Sequence, residues 1–169
     1  LISVTDLELL PEILKRSPRK FGKYIEPFFG GGAVYLHLAA NADNRDQFAI
    51  NDVNEDLIAM YRDIKSRPDE LISGCHELEK VFRKEGYYHI RSHFNGIDRK
   101  KNPVKRYEGL DRSCAIIVLN RTCFNGLYRT NKSGFFNVPK GNYKNPRIID
   151  PENTLRLSEL LPSVDNIHC

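Results

Sequence analysis

Lys23-Tyr24-Ile25-Glu26-Pro27-Phe28-Phe29-Gly30-Gly31-Gly32-Ala33-Val34-Tyr35-Leu36 decides the fold class. The run reads as a short strand, a glycine bend and then an amphipathic helix. A backbone without Cβ atoms lets a ligand approach closely, and the first turn of the helix presents unpaired N–H groups toward it. About twenty residues on, Phe48-Ala49-Ile50-Asn51-Asp52 reads as a second strand ending in an acid. An acid at that distance is placed to accept ribose hydroxyls. The two blocks together point to a nucleotide-type cofactor at the C-terminal ends of parallel strands. Read alone, Gly30 to Gly32 also fits a plain tight loop.

The full dinucleotide pattern G-x-G-x-x-G needs a glycine where Tyr35 stands. Its absence weakens a pyrophosphate cofactor more than S-adenosylmethionine (SAM), which has a ribose, an adenine and an amino-acid tail. Glu26, just before the bend, would then face the ammonium of that tail.

With 169 residues and 40% hydrophobic content the chain has about the length of one domain and material for a core. The longest apolar run, Ala115 to Leu119, is far too short for a membrane span, and no signal peptide is apparent. Cys75, Cys114, Cys123 and Cys169 show no metal spacing, so reduced thiols in a cytoplasmic protein are expected. His89 and His93 stand at helical spacing without an acid or cysteine partner, which reads as a surface pair and not a metal site.

The net charge of +4 is mild, but its distribution is not. Asn120 to Ile149 holds Arg121, Arg129, Lys132, Lys140, Lys144 and Arg147 and no acid, with Phe124, Tyr128, Phe135, Phe136 and Tyr143 interleaved. Arg99, Lys100, Lys101, Lys105 and Arg106 form a second basic cluster. Cations with aromatics and amides between them suit nucleic acid; a solvated face is the plainer alternative.

Along the chain, Thr5-Asp6-Leu7-Glu8 forms a capping box for a helix ending near Arg16 to Pro18. A polar loop, Asn41 to Asp46, precedes the second strand. Asn54 caps a helix through about Lys65, and Pro68 opens another carrying Leu71, Ile72, Leu78 and Phe82. This β–α–β–α order begins a doubly wound α/β sheet. Gly96 to Gly109 reads as a mobile basic loop. An apolar helix follows from Ser113 to about Thr122. Tyr128-Arg129-Thr130 and Phe135 to Val138 flank Asn131 to Gly134 as a β-hairpin. A short helix is expected at Leu155 to Leu161, and a strand starts near Asn166. The implied division is 1–95, 96–147 and 148–169.

Four blocks carry a resemblance to a known family: Glu26 to Gly32; Ile50-Asn51-Asp52-Val53-Asn54; Asn120-Arg121-Thr122-Cys123-Phe124-Asn125-Gly126-Leu127-Tyr128-Arg129; and Gly134 to Pro146. In that order they resemble the Dam-type (D12 class) DNA adenine-N6 methyltransferases. The resemblance implies a partial Rossmann-like SAM-dependent methyltransferase sheet with an inserted helical and β-hairpin target-recognition region. It implies SAM as cofactor and adenine in duplex DNA as acceptor, with a hairpin block closest to enzymes acting at GATC. Glu26, Pro27, Phe28, Gly30, Gly31, Gly32, Asp52 and Val53 would hold the cofactor. Asn120, Arg121, Phe124, Asn125, Leu127, Arg129, Asn137, Pro139, Lys140, Tyr143 and Lys144 would face DNA.

The residue types agree with these roles. Arg129 suits guanine O6 and N7, and Asn125 suits a base edge. Phe124 or Leu127 suits a wedge where a base leaves the stack, although both also suit a core. Pro139 and Tyr143 suit a thymine methyl, and Lys140 and Lys144 suit phosphates. Asn125-Gly126 also reads simply as a helix end. The family's catalytic Asp-Pro-Pro-Tyr grips a flipped adenine, and this sequence holds no copy of it. Asp150-Pro151-Glu152 lacks the second proline and the aromatic. The expectation is an internal piece of a longer enzyme, without catalytic residues, completed by a C-terminal part or a partner chain. The first strand would then have a bare edge. The alternative is a non-catalytic DNA-binding module.

Overall fold

The structure is a computed structural model that describes residues 4–18, 20–44 and 47–169, with side chains from residue 9 onward. The side chains of the capping box at 5–8 therefore lie outside the described residues, as do Arg45 and Asp46 of the polar loop.

Helix α1 (Val4–Arg16) precedes strand β1 (Tyr24–Glu26), helix α2 (Ala33–Ala40), strand β2 (Phe48–Asn51) and helix α3 (Glu55–Ser66). β1 pairs with β2 in parallel, with Ile25 opposite Ala49. The parallel arrangement brings the loops after both strands to one end of the sheet. Strand β3 (Ile167–His168) joins on the other side of β2, giving the order β1-β2-β3 and leaving β1 at an edge. Arg62 of α3 fixes β3 by donating twice to the Ile167 carbonyl. This is the start of a doubly wound α/β sheet that the alternation of strands and helices implied, and it is consistent with the partial Rossmann-like fold that the resemblance implied.

Between β2 and β3 the chain builds a helical layer. Helix α4 (Pro68–Glu85) starts on Pro68, whose missing N–H costs nothing at the first turn. Helix α5 (Tyr87–Asn95) follows across Gly86, and helix α6 (Gly109–Thr122) runs through the middle with Ser113 to Leu119 all buried. Its apolar residues surround the whole circumference, as suits a helix packed on α3, α4 and α5 together. Helix α7 (Pro151–Leu160) returns the chain to the sheet. Asp150 caps it by accepting from the Asn153 N–H at 3.2 Å, which gives Asp150-Pro151-Glu152 a structural role as a helix start.

One expectation changes. Residues 96–108 contain no helix, but they are tied down: Ile97 bridges Pro103, and Asp98 accepts from the Lys100 and Asn102 backbone amides, each at 2.8 Å. A short polar segment can close such a turn on one carboxylate, which composition alone does not reveal. The expected hairpin is present as a short antiparallel turn, bridged at Thr130 and Phe136. Backbone bonds cross it from the Asn131 N–H to the Phe135 carbonyl at 2.9 Å and from the Asn137 N–H to the Arg129 carbonyl at 3.0 Å, and its second arm also bonds outward to the helical layer.

Candidate functional site

At the C-terminal end of β1 and β2 two loops close on each other through one side chain. The Asp52 carboxylate accepts from the Gly30 N–H through Oδ2 and from the Asn54 N–H through Oδ1, both at 2.9 Å. Asn54 in turn caps α3 by accepting from the Leu57 N–H. Phe29 N–H donates to the Asn51 carbonyl, and the Tyr61 hydroxyl donates to the Gly30 carbonyl. The β1–α2 loop is thus sewn to the start of α3.

Gly32 is required twice. Its φ is +68°, and a Cβ there would lie 2.5 Å from the Phe29 ring. Gly30 also has positive φ, but the space where its Cβ would point is empty within 4 Å. Phe29 is buried against Tyr35 and Tyr61. Its neighbour Phe28 is 86% exposed and Val53 is 88% exposed, on the loops that flank Asp52. Exposed apolar side chains on loops that carry a carboxylate can take a planar ring joined to a diol.

Glu26 has a structural task. Its Oε2 accepts from the Tyr35 N–H in the first turn of α2 and from the Tyr24 hydroxyl, at 3.1 and 2.7 Å. This supplies the helix cap that Gly32 cannot. Burial raises its pKa above the usual carboxylate value, opposed by those two bonds. A cavity of about 650 Å³ borders the loop at Gly31 and runs along α2 to Ile117, Arg121 and Leu157. Of the residues expected at the cofactor it includes Gly31 but none of Glu26, Phe28, Asp52 or Val53, so it adjoins this cradle from the α2 side.

The residues expected at DNA lie on the segment after α6. Phe124-Asn125-Gly126 forms a 3-10 turn with Asn125 at φ +54°. Asn120 is occupied within it, donating to the Gly126 carbonyl. Phe124, Leu127 and Tyr143 are each about half exposed and so are not core residues. Arg129, Pro139, Lys140 and Lys144 are exposed as well. Arg129 Nε donates to Asn137 Oδ1 at 2.7 Å. Arg121 stands apart from the turn, lining the cavity that Asp150 also lines.

Sequence reasoning missed what supports this segment. Tyr87 and Arg91 of α5 donate to the Val138 carbonyl, and Asn95 exchanges two hydrogen bonds with the Phe136 backbone. Arg112 forms a bidentate pair with Asp56, donates to the Phe94 carbonyl at 2.7 Å and lies 4.1 Å over the Phe94 ring. The Tyr128 hydroxyl reaches Asp56 at 3.3 Å. Tyr87, Ile90 and Phe94 at helical spacing were a readable signal for α5; the Asp56–Arg112 pair, 56 residues apart, left none.

The model of the D12 class N6 adenine-specific DNA methyltransferase family matches residues 7–169. The chain belongs to that family. It is 43% identical over 164 residues to the type II methyltransferase M.MjaIII of Methanocaldococcus jannaschii, covering 93% of this chain and 54% of that protein. It is 37% identical over 154 residues to the type II methyltransferase M1.LlaDCHI of Lactococcus lactis subsp. cremoris, covering 91% and 51%. It is 36% identical over 146 residues to the DNA adenine methylase of Escherichia coli K12, covering 85% and 47%. The chain spans about half the length of the curated relatives it matches. Among the described residues no helix is long and apolar enough to cross a membrane, and no group of three or more His, Cys, Asp or Glu is placed to hold a metal.

Proposed function

We propose that this D12 family chain supplies the cofactor cradle and the DNA-reading segment of a SAM-dependent adenine-N6 methyltransferase acting on duplex DNA, with GATC the first sequence to test. The observation that carries the cofactor assignment is Asp52, held by two backbone amides between exposed Phe28 and Val53 at the ends of parallel strands. A carboxylate has about four lone-pair sites, so two amides leave capacity for two ribose hydroxyls. Phe28 and Val53 would flank the adenine, and Glu26 would attract the ammonium of the methionine tail. Gly30 leaves room for that tail. When bound, SAM supplies an electrophilic methyl group.

On the DNA side, an exposed Arg129 offers a planar donor pair to a guanine edge. Phe124 and Leu127, apolar yet half exposed, offer a wedge into the base stack. Lys140 and Lys144 add sequence-independent phosphate contacts. The test is transfer of a labelled methyl group from SAM to adenine in unmethylated GATC and scrambled duplexes. Label on adenine N6 in GATC alone supports the cofactor and DNA assignments and overturns the expectation that the catalytic residues lie elsewhere. SAM and DNA binding without transfer places the chemistry outside these residues. DNA binding with no SAM binding favours a DNA-binding module.

A further inference from the structure

Asn137 and Arg129 face each other across the narrow turn. The Asn137 N–H donates to the Arg129 carbonyl at 3.0 Å, while Arg129 Nε–H donates to Asn137 Oδ1 at 2.7 Å. The backbone on which Asn137 stands is fixed on both sides: Phe136 by Asn95 at its N–H and carbonyl, Val138 by Tyr87 and Arg91 at its carbonyl. Asn131 closes the tip by accepting from the Ser133 and Phe135 N–H groups, both at 3.0 Å. Asn137 is thus a side chain on an anchored backbone, holding the Nε end of an otherwise exposed guanidinium.

We infer that Asn137 is a positioning residue for Arg129: its side-chain oxygen sets the plane of the guanidinium and leaves the two Nη nitrogens as the fork that meets guanine. The inference rests on the reading of Arg129 proposed above. A guanidinium has five donors in one rigid plane, so engaging Nε orients the rest without consuming them. An arginine oriented before DNA arrives loses less conformational freedom on binding. Asn137 acts here as an acceptor. A direct contact to phosphate would instead use its amide as a donor, and that difference is testable.

The experiment measures, for the full-length protein, the ratio of affinities for a GATC duplex and a scrambled duplex of equal length. Arg129→Ala, Asn137→Ala and Asn137→Asp are compared with the unmutated protein. Aspartate keeps an acceptor for Nε but loses the donor, and taking the ratio cancels the repulsion its charge exerts on all phosphates. The expected result is a roughly tenfold or larger fall in the ratio for Arg129→Ala. A fall of several-fold follows for Asn137→Ala, with Asn137→Asp within about twofold of the unmutated protein. Asn137→Asp as poor as Asn137→Ala overturns the inference, because the amide then donates to DNA itself. So does Asn137→Ala with an unchanged ratio while Arg129→Ala loses it. An unchanged ratio in Arg129→Ala overturns the reading of Arg129 instead.

Discussion

The loops proposed to hold the cofactor and the segment proposed to read DNA are held in opposite ways. The β1–α2 and β2–α3 loops are fastened to each other: Asp52 joins Gly30 to Asn54, and Tyr61 and Asn51 hold the same loop from the sheet and α3. Residues 127–144 are fastened to a neighbour, through Asn95, Tyr87 and Arg91 of α5 and through Asp56 of α3. The first region is part of the fold's own closure, so damage there costs stability and ligand binding together. The second is seated on the core by Phe136 and Val138 but carries its exposed side chains away from it, so under the proposed reading a change in those side chains alters DNA reading while the fold persists. Asp56 is where the two meet.

The largest effect belongs to the first region. Gly32→Ala forces a side chain into left-handed backbone and against the Phe29 ring. About 3 kcal/mol of stability should be lost, seen as a lower urea midpoint, with SAM affinity falling in parallel. Normal stability in this variant would break the idea that the loop belongs to the core.

Next comes the joint. Asp56 and Arg112 are only 20% and 18% exposed, so Asp56→Ala strands a largely buried guanidinium. The cost should be about 2 kcal/mol. Hydrogen exchange should accelerate at 128–138 more than at 29–32. Uniform acceleration would show that the recognition segment has no separate attachment.

In the second region Arg129→Ala should leave the urea midpoint unchanged and remove roughly 1–3 kcal/mol of guanine discrimination. Lys144→Ala should do less, weakening all duplexes alike and reducing the salt slope of binding by about one unit.

The smallest effect is a pH dependence at Glu26. Its folded-state pKa is raised, with burial the main cause. The favourable contribution of the neutral group is therefore present below the unfolded pKa and fades as pH rises through the folded value. A bound ammonium prefers the carboxylate, so SAM affinity should rise over that same interval, above the ordinary glutamate range. Glu26→Gln should flatten the rise, and an unchanged pH profile would remove Glu26 from the tail site.

Much of the first region was legible because its determinants are local. The glycines, the Asn54 cap and Pro68 each act within a few residues of where they stand, and Asp52, which reaches back 22 positions to Gly30, stands at the end of a readable strand. The Rossmann-like order followed from them. The dual use of Glu26 as a helix cap was not legible, since Tyr35 lies nine positions away on another element. In the second region the basic and aromatic composition was legible, but the attachment was not. A regular hairpin was the natural expectation from residues 128–138. The side-chain bonds from Asn95, Tyr87 and Arg91 that fix it to α5 come from 41 to 51 positions upstream. That Asn120 also closes the turn at Gly126, six positions on, was not legible either.

The central claim is tested most directly by equilibrium binding of SAM and of duplex DNA to Asp52→Ala beside the unmutated protein. The account predicts that SAM binding disappears in the variant while DNA affinity stays within about twofold, since the recognition segment is attached elsewhere. Undiminished SAM affinity in Asp52→Ala, or no saturable SAM binding by the unmutated protein, would contradict it.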